Sequence, residues 1–142
     1  MNDSLKNLSP LDGRYQNKTK KSRELFSESA LIEQRIKVEI LWLNYFLTNF
    51  KPELLTEKTK EKINTLRTNA PDHLIERVKE IENTTNHDVK AVELAVAEQF
   101  EDSEEIQSLV HIFLTSEDIN SLSYALMLKD AHPILLDWID EI

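Results

Sequence analysis

An all-α fold is predicted by three observations on this chain of 142 residues. It holds a single glycine, Gly13, whereas sheet-rich folds need glycine at tight turns and bulges. Apolar residues recur every three to four positions over most of its length, the period of a helix with one buried face. The composition, 30% charged and 40% hydrophobic, suits amphipathic helices with solvated outer faces. The length is that of one domain with room for a small second piece.

Residues 1–17 read as irregular. Ser9-Pro10-Leu11-Asp12-Gly13 is turn chemistry: Pro presets φ, Asp bonds nearby backbone, and Gly accepts positive φ. Arg14 and Tyr15 follow directly. The helical pattern begins at Lys18, with Ser27 and Ser29 as candidate N-caps. Leu31, Ile32, Arg35-Ile36, Glu39-Ile40, Leu43, Phe46 and Leu47 then mark a long amphipathic helix ending near Asn49, broken by Lys51-Pro52. A Lys/Glu-rich helix from Leu54 to about Arg67 carries Leu55, Ile63 and Leu66. After a connection at residues 68–72, Leu74, Ile75, Val78 and Ile81 share the face of a helix reaching about Glu82. Asn83-Thr84-Thr85-Asn86-His87-Asp88 reads as a polar break.

Helix is predicted to resume over residues 89–100 through Val92, Leu94, Val96 and Ala97. Glu101-Asp102-Ser103 opens the next, with Ile106, Leu109, Val110 and Phe113 inside. Thr115-Ser116-Glu117-Asp118 is a further break. A helix then carries Ile119, Leu122, Leu126 and Met127 up to His132-Pro133, and Pro133 is placed as the first residue of a last helix. There Ile134, Leu135, Trp138, Ile139 and Ile142 build an apolar stripe. The stripe ends without a Gly or Asn cap or a basic last turn, so the chain is expected to continue into a longer one. No period of 20 to 50 residues stands out against this pattern.

Several function classes are set aside by composition. Without cysteine there is no disulfide framework, no Cys-based zinc site and no Cys nucleophile. One glycine does not make a phosphate-cradling loop or a dinucleotide fingerprint. The apolar runs are too short to span a bilayer, and Met1-Asn2-Asp3-Ser4-Leu5-Lys6 has no secretory apolar region. A cytoplasmic protein without membrane contact is expected. The net charge of −9 makes a poor general nucleic-acid binder, because phosphate neutralisation drives that affinity. The charge is uneven: residues 1–23 carry about +4 and residues 101–142 about −9. The basic head reads as a solvated arm or as an attractor for one small anion. The histidines His73, His111 and His132 show no metal-ligand spacing, so no metal is expected. Trp42 and Trp138 lie on apolar helical faces and read as core. The serines lack a nucleophile-elbow context.

Three polar strings interrupt the regular pattern. In Asp12-Gly13-Arg14-Tyr15, a tight turn presents a guanidinium fork that fits phosphate or carboxylate, beside a hydroxyl and a ring. Thr85-x-x-Asp88 has the form of a capping box, with Thr85 accepting a backbone N–H and Asp88 reaching back. That leaves Asn86 and His87 unexplained, and His87 suits an anion donor or a proton carrier near neutral pH as well as a plain surface residue. Thr115-x-x-Asp118 has the same capping form; its hydroxyls and free N–H groups also suit a carboxylate, provided Glu117 and Asp118 point away.

Three longer strings carry a resemblance. Ser9-Pro10-Leu11-Asp12-Gly13-Arg14-Tyr15, the run from Ile81-Glu82-Asn83-Thr84-Thr85-Asn86-His87-Asp88 through Val89-Lys90-Ala91-Val92-Glu93, and Thr115-Ser116-Glu117-Asp118-Ile119-Asn120 resemble, in order and spacing, the N-terminal segment of the bacterial adenylosuccinate lyase family, within the aspartase/fumarase superfamily. The resemblance implies a cofactor-free elimination of fumarate from adenylosuccinate, giving AMP, and from the succinyl-carboxamide ribotide of purine synthesis. It implies a homotetramer whose active sites are each built from three subunits. Arg14 and Tyr15 would bind the nucleotide end, with Arg14 on its phosphate. Asn86, His87 and Asp88 would line the nucleotide pocket, and Thr115 and Ser116 would hold the succinyl part. The family's general acid, a His in a second segment, and its base, a Ser on a Met-Pro-x-Lys loop, have no counterpart in this sequence, so no catalytic residue is expected within it. Residues 1–114 would be the N-terminal helical domain and residues 115–142 the start of the central bundle. The competing reading is a helical self-association or scaffolding module that binds no nucleotide.

Overall fold

The computed structural model describes residues 8–140, and of residue 138 the backbone alone. Among these residues it is all helix and turn: α1 (Lys20–Phe26), α2 (Glu28–Phe50), a 3-10 turn (Pro52–Leu54), α3 (Glu57–Thr68), α4 (Asp72–Thr85), α5 (Asp88–Glu98), α6 (Glu104–Leu109) and α7 (Ser116–Asp140). Hydroxyls set several helix starts by accepting orphan N–H groups. Ser27 accepts from Ala30 at 3.3 Å, Thr56 from Thr59 at 3.2 Å and Ser103 from Ile106 at 3.3 Å. Of the two candidate caps on α2, Ser27 is the one used, and Ser29 lies in the first turn.

Helix α2 is the axis of the fold. It packs against α1, α3, α4, α5 and α7, so apolar residues on more than one side of it are covered. Ile36, Ile40, Leu43 and Leu47 have no exposed surface and meet Ile63 and Leu66 of α3, Leu74, Val78 and Ile81 of α4, and Val92 and Val96 of α5. Each such side chain contributes about 1.5–3 kcal/mol by leaving water. A second, smaller cluster joins Val38 of α2, Val89 of α5 and Ile119 of α7, flanked by Leu114 and Leu126. It brings the N-terminal ends of α5 and α7 to the same stretch of α2.

Several local expectations are corrected. Residues 83–85 are the last turn of α4, and only Asn86 and His87 form the break, Asn86 being left-handed at φ 50°, a conformation asparagine tolerates. Thr85 therefore cannot cap α5; its hydroxyl donates back to the Ile81 carbonyl at 3.2 Å. Phe113 is not interior: α6 stops at Leu109, and His111 and Phe113 both take φ 62°. That breaks the helical period and leaves Phe113 83% exposed, its ring tilted against Phe46. Pro133 does not open a helix but lies inside α7. It removes one N–H from a helix already seated through Ile119, Ser123, Met127 and Ala131. That single loss sits on an exposed face, where water can serve the freed carbonyl. Gly13 does not use positive φ either.

Trp42 is half-buried rather than core, with its indole N–H donated to the Ile112 carbonyl at 2.8 Å. Of the terminal stripe, Ile139 is exposed; the Trp138 side chain and Ile142 lie outside the described residues. Among the described residues no helix is long and apolar enough to cross a membrane.

Candidate functional site

The first polar string forms a hydrogen-bonded turn. The Asp12 N–H donates to the Ser9 carbonyl at 3.1 Å and the Tyr15 N–H to the Pro10 carbonyl at 2.9 Å. The Thr19 hydroxyl closes the loop onto the Leu11 carbonyl at 3.2 Å. Arg14 lies 5.4 Å and Lys18 5.9 Å from the centre of the Tyr15 ring. Two cations thus lie close to one exposed ring, and a guanidinium fork of this kind suits an anion.

The second string begins α5 in an unusual way. His87 is the N-cap, and its Nδ1 accepts the Lys90 N–H at 3.1 Å. Because Nδ1 accepts, the neutral ring carries its proton on Nε2, and the imidazole is about half exposed. Asp88 is oriented at both oxygens: Oδ1 accepts the Val89 N–H at 2.8 Å, and Oδ2 accepts from the Arg35 guanidinium at 2.7 Å. Partial burial alone would raise the Asp88 pKa, but the Val89 N–H and the Arg35 charge outweigh it and hold the carboxyl below its usual range.

The third string begins α7. Its capping form is present in part: the Thr115 N–H and hydroxyl both donate to Asp118 Oδ2, at 2.8 and 2.9 Å. Those two donors hold the Asp118 carboxyl below its usual range. Asp118 thus turns toward Thr115 rather than away, so the Thr115 hydroxyl is committed to it. An arriving carboxylate must displace Asp118 or use other donors of this turn. Glu117 does turn aside, accepting from the Ser121 hydroxyl at 2.9 Å.

The structure joins the second and third strings through Arg35, a residue the sequence did not single out. Arg35 is 5% exposed. One guanidinium nitrogen reaches Asp88 at the start of α5, and Nε donates to Asn120 Oδ1 in the first turns of α7 at 3.0 Å. Val38, Val89 and Ile119 pack together nearby. Asn86, His87 and Asp88 are therefore tied to the helix that Thr115 and Ser116 begin. Among the described residues, the hydrogen bonds and ring contacts of Arg14 and Tyr15 stay within residues 10–19. The signal that could have found Arg35 was its place in an apolar repeat: Arg35 and Glu39, four apart, occupy positions where the helix of residues 28–50 is otherwise hydrophobic.

Fold and site together define an all-helical segment in which a buried arginine ties the first turn of α5 to the first turns of α7. No family model matches the chain. Its curated relatives include proteins named adenylosuccinate lyase. The one from Legionella pneumophila strain Corby is 43% identical over 134 residues, covering 90% of this chain and 29% of the relative. That from Haemophilus influenzae is 41% identical over 148 residues, covering 95% and 32%, and that from Escherichia coli K12 is 40% identical over 134 residues, covering 90% and 29%. The chain is thus homologous to an N-terminal segment of adenylosuccinate lyases and spans about 30% of the length of these relatives.

Proposed function

We propose that this chain forms the substrate-holding N-terminal part of an adenylosuccinate lyase. The observation that supports this reading most is the Arg35 bridge: two polar strings that resemble the family's substrate segments, far apart in sequence, meet through one buried side chain. In the reaction, a base takes a proton from the carbon beside a succinyl carboxylate, the C–N bond breaks, and an acid protonates the leaving nitrogen. Fumarate and AMP are released, or fumarate and the carboxamide ribotide.

Arg14 takes the nucleotide phosphate, with Tyr15 beside it. Asn86, His87 and Asp88 line the nucleotide pocket, His87 offering its Nε2–H. Thr115 and Ser116 hold the succinyl group once Asp118 yields its hold on the Thr115 hydroxyl. The acid and base come from segments outside this sequence. Residues 1–114 form the N-terminal domain and residues 115–142 begin a central bundle through which four subunits assemble in the cytoplasm. Neither metal nor organic cofactor takes part.

Fumarate release from adenylosuccinate tests the proposal. A full-length lyase carrying this segment is expected to be active, and residues 1–142 alone inactive. Arg14→Ala and His87→Ala should each lower activity by about tenfold or more, the size of a lost charged or acid–base contact. Unchanged kinetics in both variants would refute the site assignment. A second reading, a self-association module without nucleotide binding, draws on the exposed apolar side chains of α2 and α7, among them Tyr45, Leu122, Leu128 and Ile139. It predicts that no AMP or adenylosuccinate binds at any concentration at which the chain self-associates.

A further inference from the structure

One turn beyond Arg35 on α2, Glu39 has no exposed surface. Its Oε1 lies 2.5 Å from Nδ1 of His111, and its Oε2 has no hydrogen-bond partner among the described residues. Burial pushes the Glu39 carboxyl up, and the His111 hydrogen bond and charge pull it back down only in part; Glu93 on α5 pushes it further up. A leucine would fill this volume without removing a carboxylate from water, and replacing buried ionic groups by apolar ones is often neutral or favourable. Packing alone therefore does not call for an acid here. What an acid supplies is a hold on His111.

The segment that His111 belongs to needs such a hold. Residues 110–115 connect α6 to Thr115, and both His111 and Phe113 take φ 62°. For non-glycine residues the left-handed region is unfavourable and persists only when surrounding structure enforces it. Helix α2 enforces it at neighbouring residues. Glu39 takes the His111 ring, and the Trp42 indole N–H takes the Ile112 carbonyl at 2.8 Å. The Leu114 N–H then closes on the His111 carbonyl at 3.1 Å, while the Leu114 side chain packs on Val38, Val89 and Ile119. The next residue is Thr115.

We infer that Glu39 is a positioning residue: acting through His111, it sets the linker that presents Thr115 and Ser116 to the succinyl end of the substrate. This deepens the lyase proposal and rests on it. The linker's hold and the lyase activity are measured separately.

Amide hydrogen exchange on the chain itself reads the linker. In Glu39→Leu, amides of residues 111–116 should exchange about tenfold faster or more, with α2 and α5 amides unchanged, since local opening reports the lost constraint. In an active lyase carrying the segment, the same variant should raise KM for adenylosuccinate about tenfold while kcat stays within about threefold, the pattern of lost uniform binding. Glu39→Gln, which keeps an acceptor at the same reach, should stay within about threefold of the parent in both readouts. A folded Glu39→Leu protein with parental exchange at residues 111–116, or with parental KM, overturns the inference. If Glu39→Leu does not fold, Glu39→Asp decides. It keeps the charge but falls short of His111, so fast linker exchange alongside normal Glu39→Gln supports the role, and parental exchange overturns it. An inactive parent lyase would strike the lyase reading, while the exchange arm still decides whether Glu39 holds the linker.

Discussion

The molecule carries two kinds of charged network, and their difference bears on the proposed site. On the α4–α5 surface Arg77 forks onto Glu98 at 2.8 and 2.9 Å and also meets Glu80 at 2.9 Å, with side chains nearly half exposed. Lys79 sits between Glu28 and Glu82 at 2.7 and 2.6 Å. These hydrogen bonds raise the cations' pKa values, Glu98 acting first on Arg77 and Glu28 first on Lys79. Yet water screens such pairs and their stabilisation is small. On α2, by contrast, the Arg35 side chain is 6% exposed and that of Glu39 0%. There burial takes the charged group out of bulk solvent, so its cost must be met by protein partners. The better-formed surface forks brace helices, whereas the two buried charges, each with its own partners, reach the segments proposed to hold substrate.

That contrast can be broken by mutation. The largest effect belongs to Asp88→Ala, which strands the buried Arg35 guanidinium on Asn120 alone. Unfolding should be easier by about 2–4 kcal/mol, below the range for fully buried pairs because Asp88 is partly solvated. Denaturant titration at pH 7 measures it. Arg35→Met removes the buried charge and returns Asp88 to water, so it should be milder, at about 1–2 kcal/mol. A larger loss in Arg35→Met than in Asp88→Ala would reverse the proposed asymmetry. Ser27→Ala removes the α2 cap at about 1 kcal/mol. Smallest is Arg77→Ala, whose midpoint should fall by less than that of Ser27→Ala and whose effect should vanish in high salt.

Acid sharpens the same contrast. Asp88 has a lowered folded-state pKa, so its contribution is present above the unfolded carboxylate value and is lost as pH falls through the folded one. The chain should lose stability below about pH 4 more steeply than Asp88→Ala does. Glu39 has a raised folded-state pKa, and its sign is opposite: the folded state binds the extra proton, so stability declines as pH rises above the unfolded value. Glu39→Gln should therefore improve relative to the parent between pH 4 and pH 7, as read from midpoints across that range.

Much of the helical order was legible because it is local. The apolar repeat of residues 31–47, the Ser27 cap and the breaks near residues 86 and 115 each depend on neighbours within a few positions. The Thr115–Asp118 contact was readable for the same reason. The His87 cap was not, since histidine seldom caps and Thr85 offered the commoner chemistry. Pro133 misled because α7 continues across it, seated on the fold through Ile119, Ser123, Met127 and Ala131. The site's framework was hidden for a different reason. Arg35 meets partners 53 and 85 positions away, and Glu39 one 72 away, separations at which no local pattern speaks. What the sequence did show was two charges on an apolar face, an inconsistency that marks such a position.

Nuclear magnetic resonance of Asp88→Asn tests the central claim, that Arg35 couples the start of α5 to the start of α7. The substitution keeps an acceptor and the helix start while removing the charge. The Arg35 Nε–H signal, the Asn120 side-chain amide and the backbone amides of residues 116–120 are expected to shift together with those of residues 86–90. Shifts confined to residues 85–91, with the Arg35 and Asn120 signals unmoved, would contradict it.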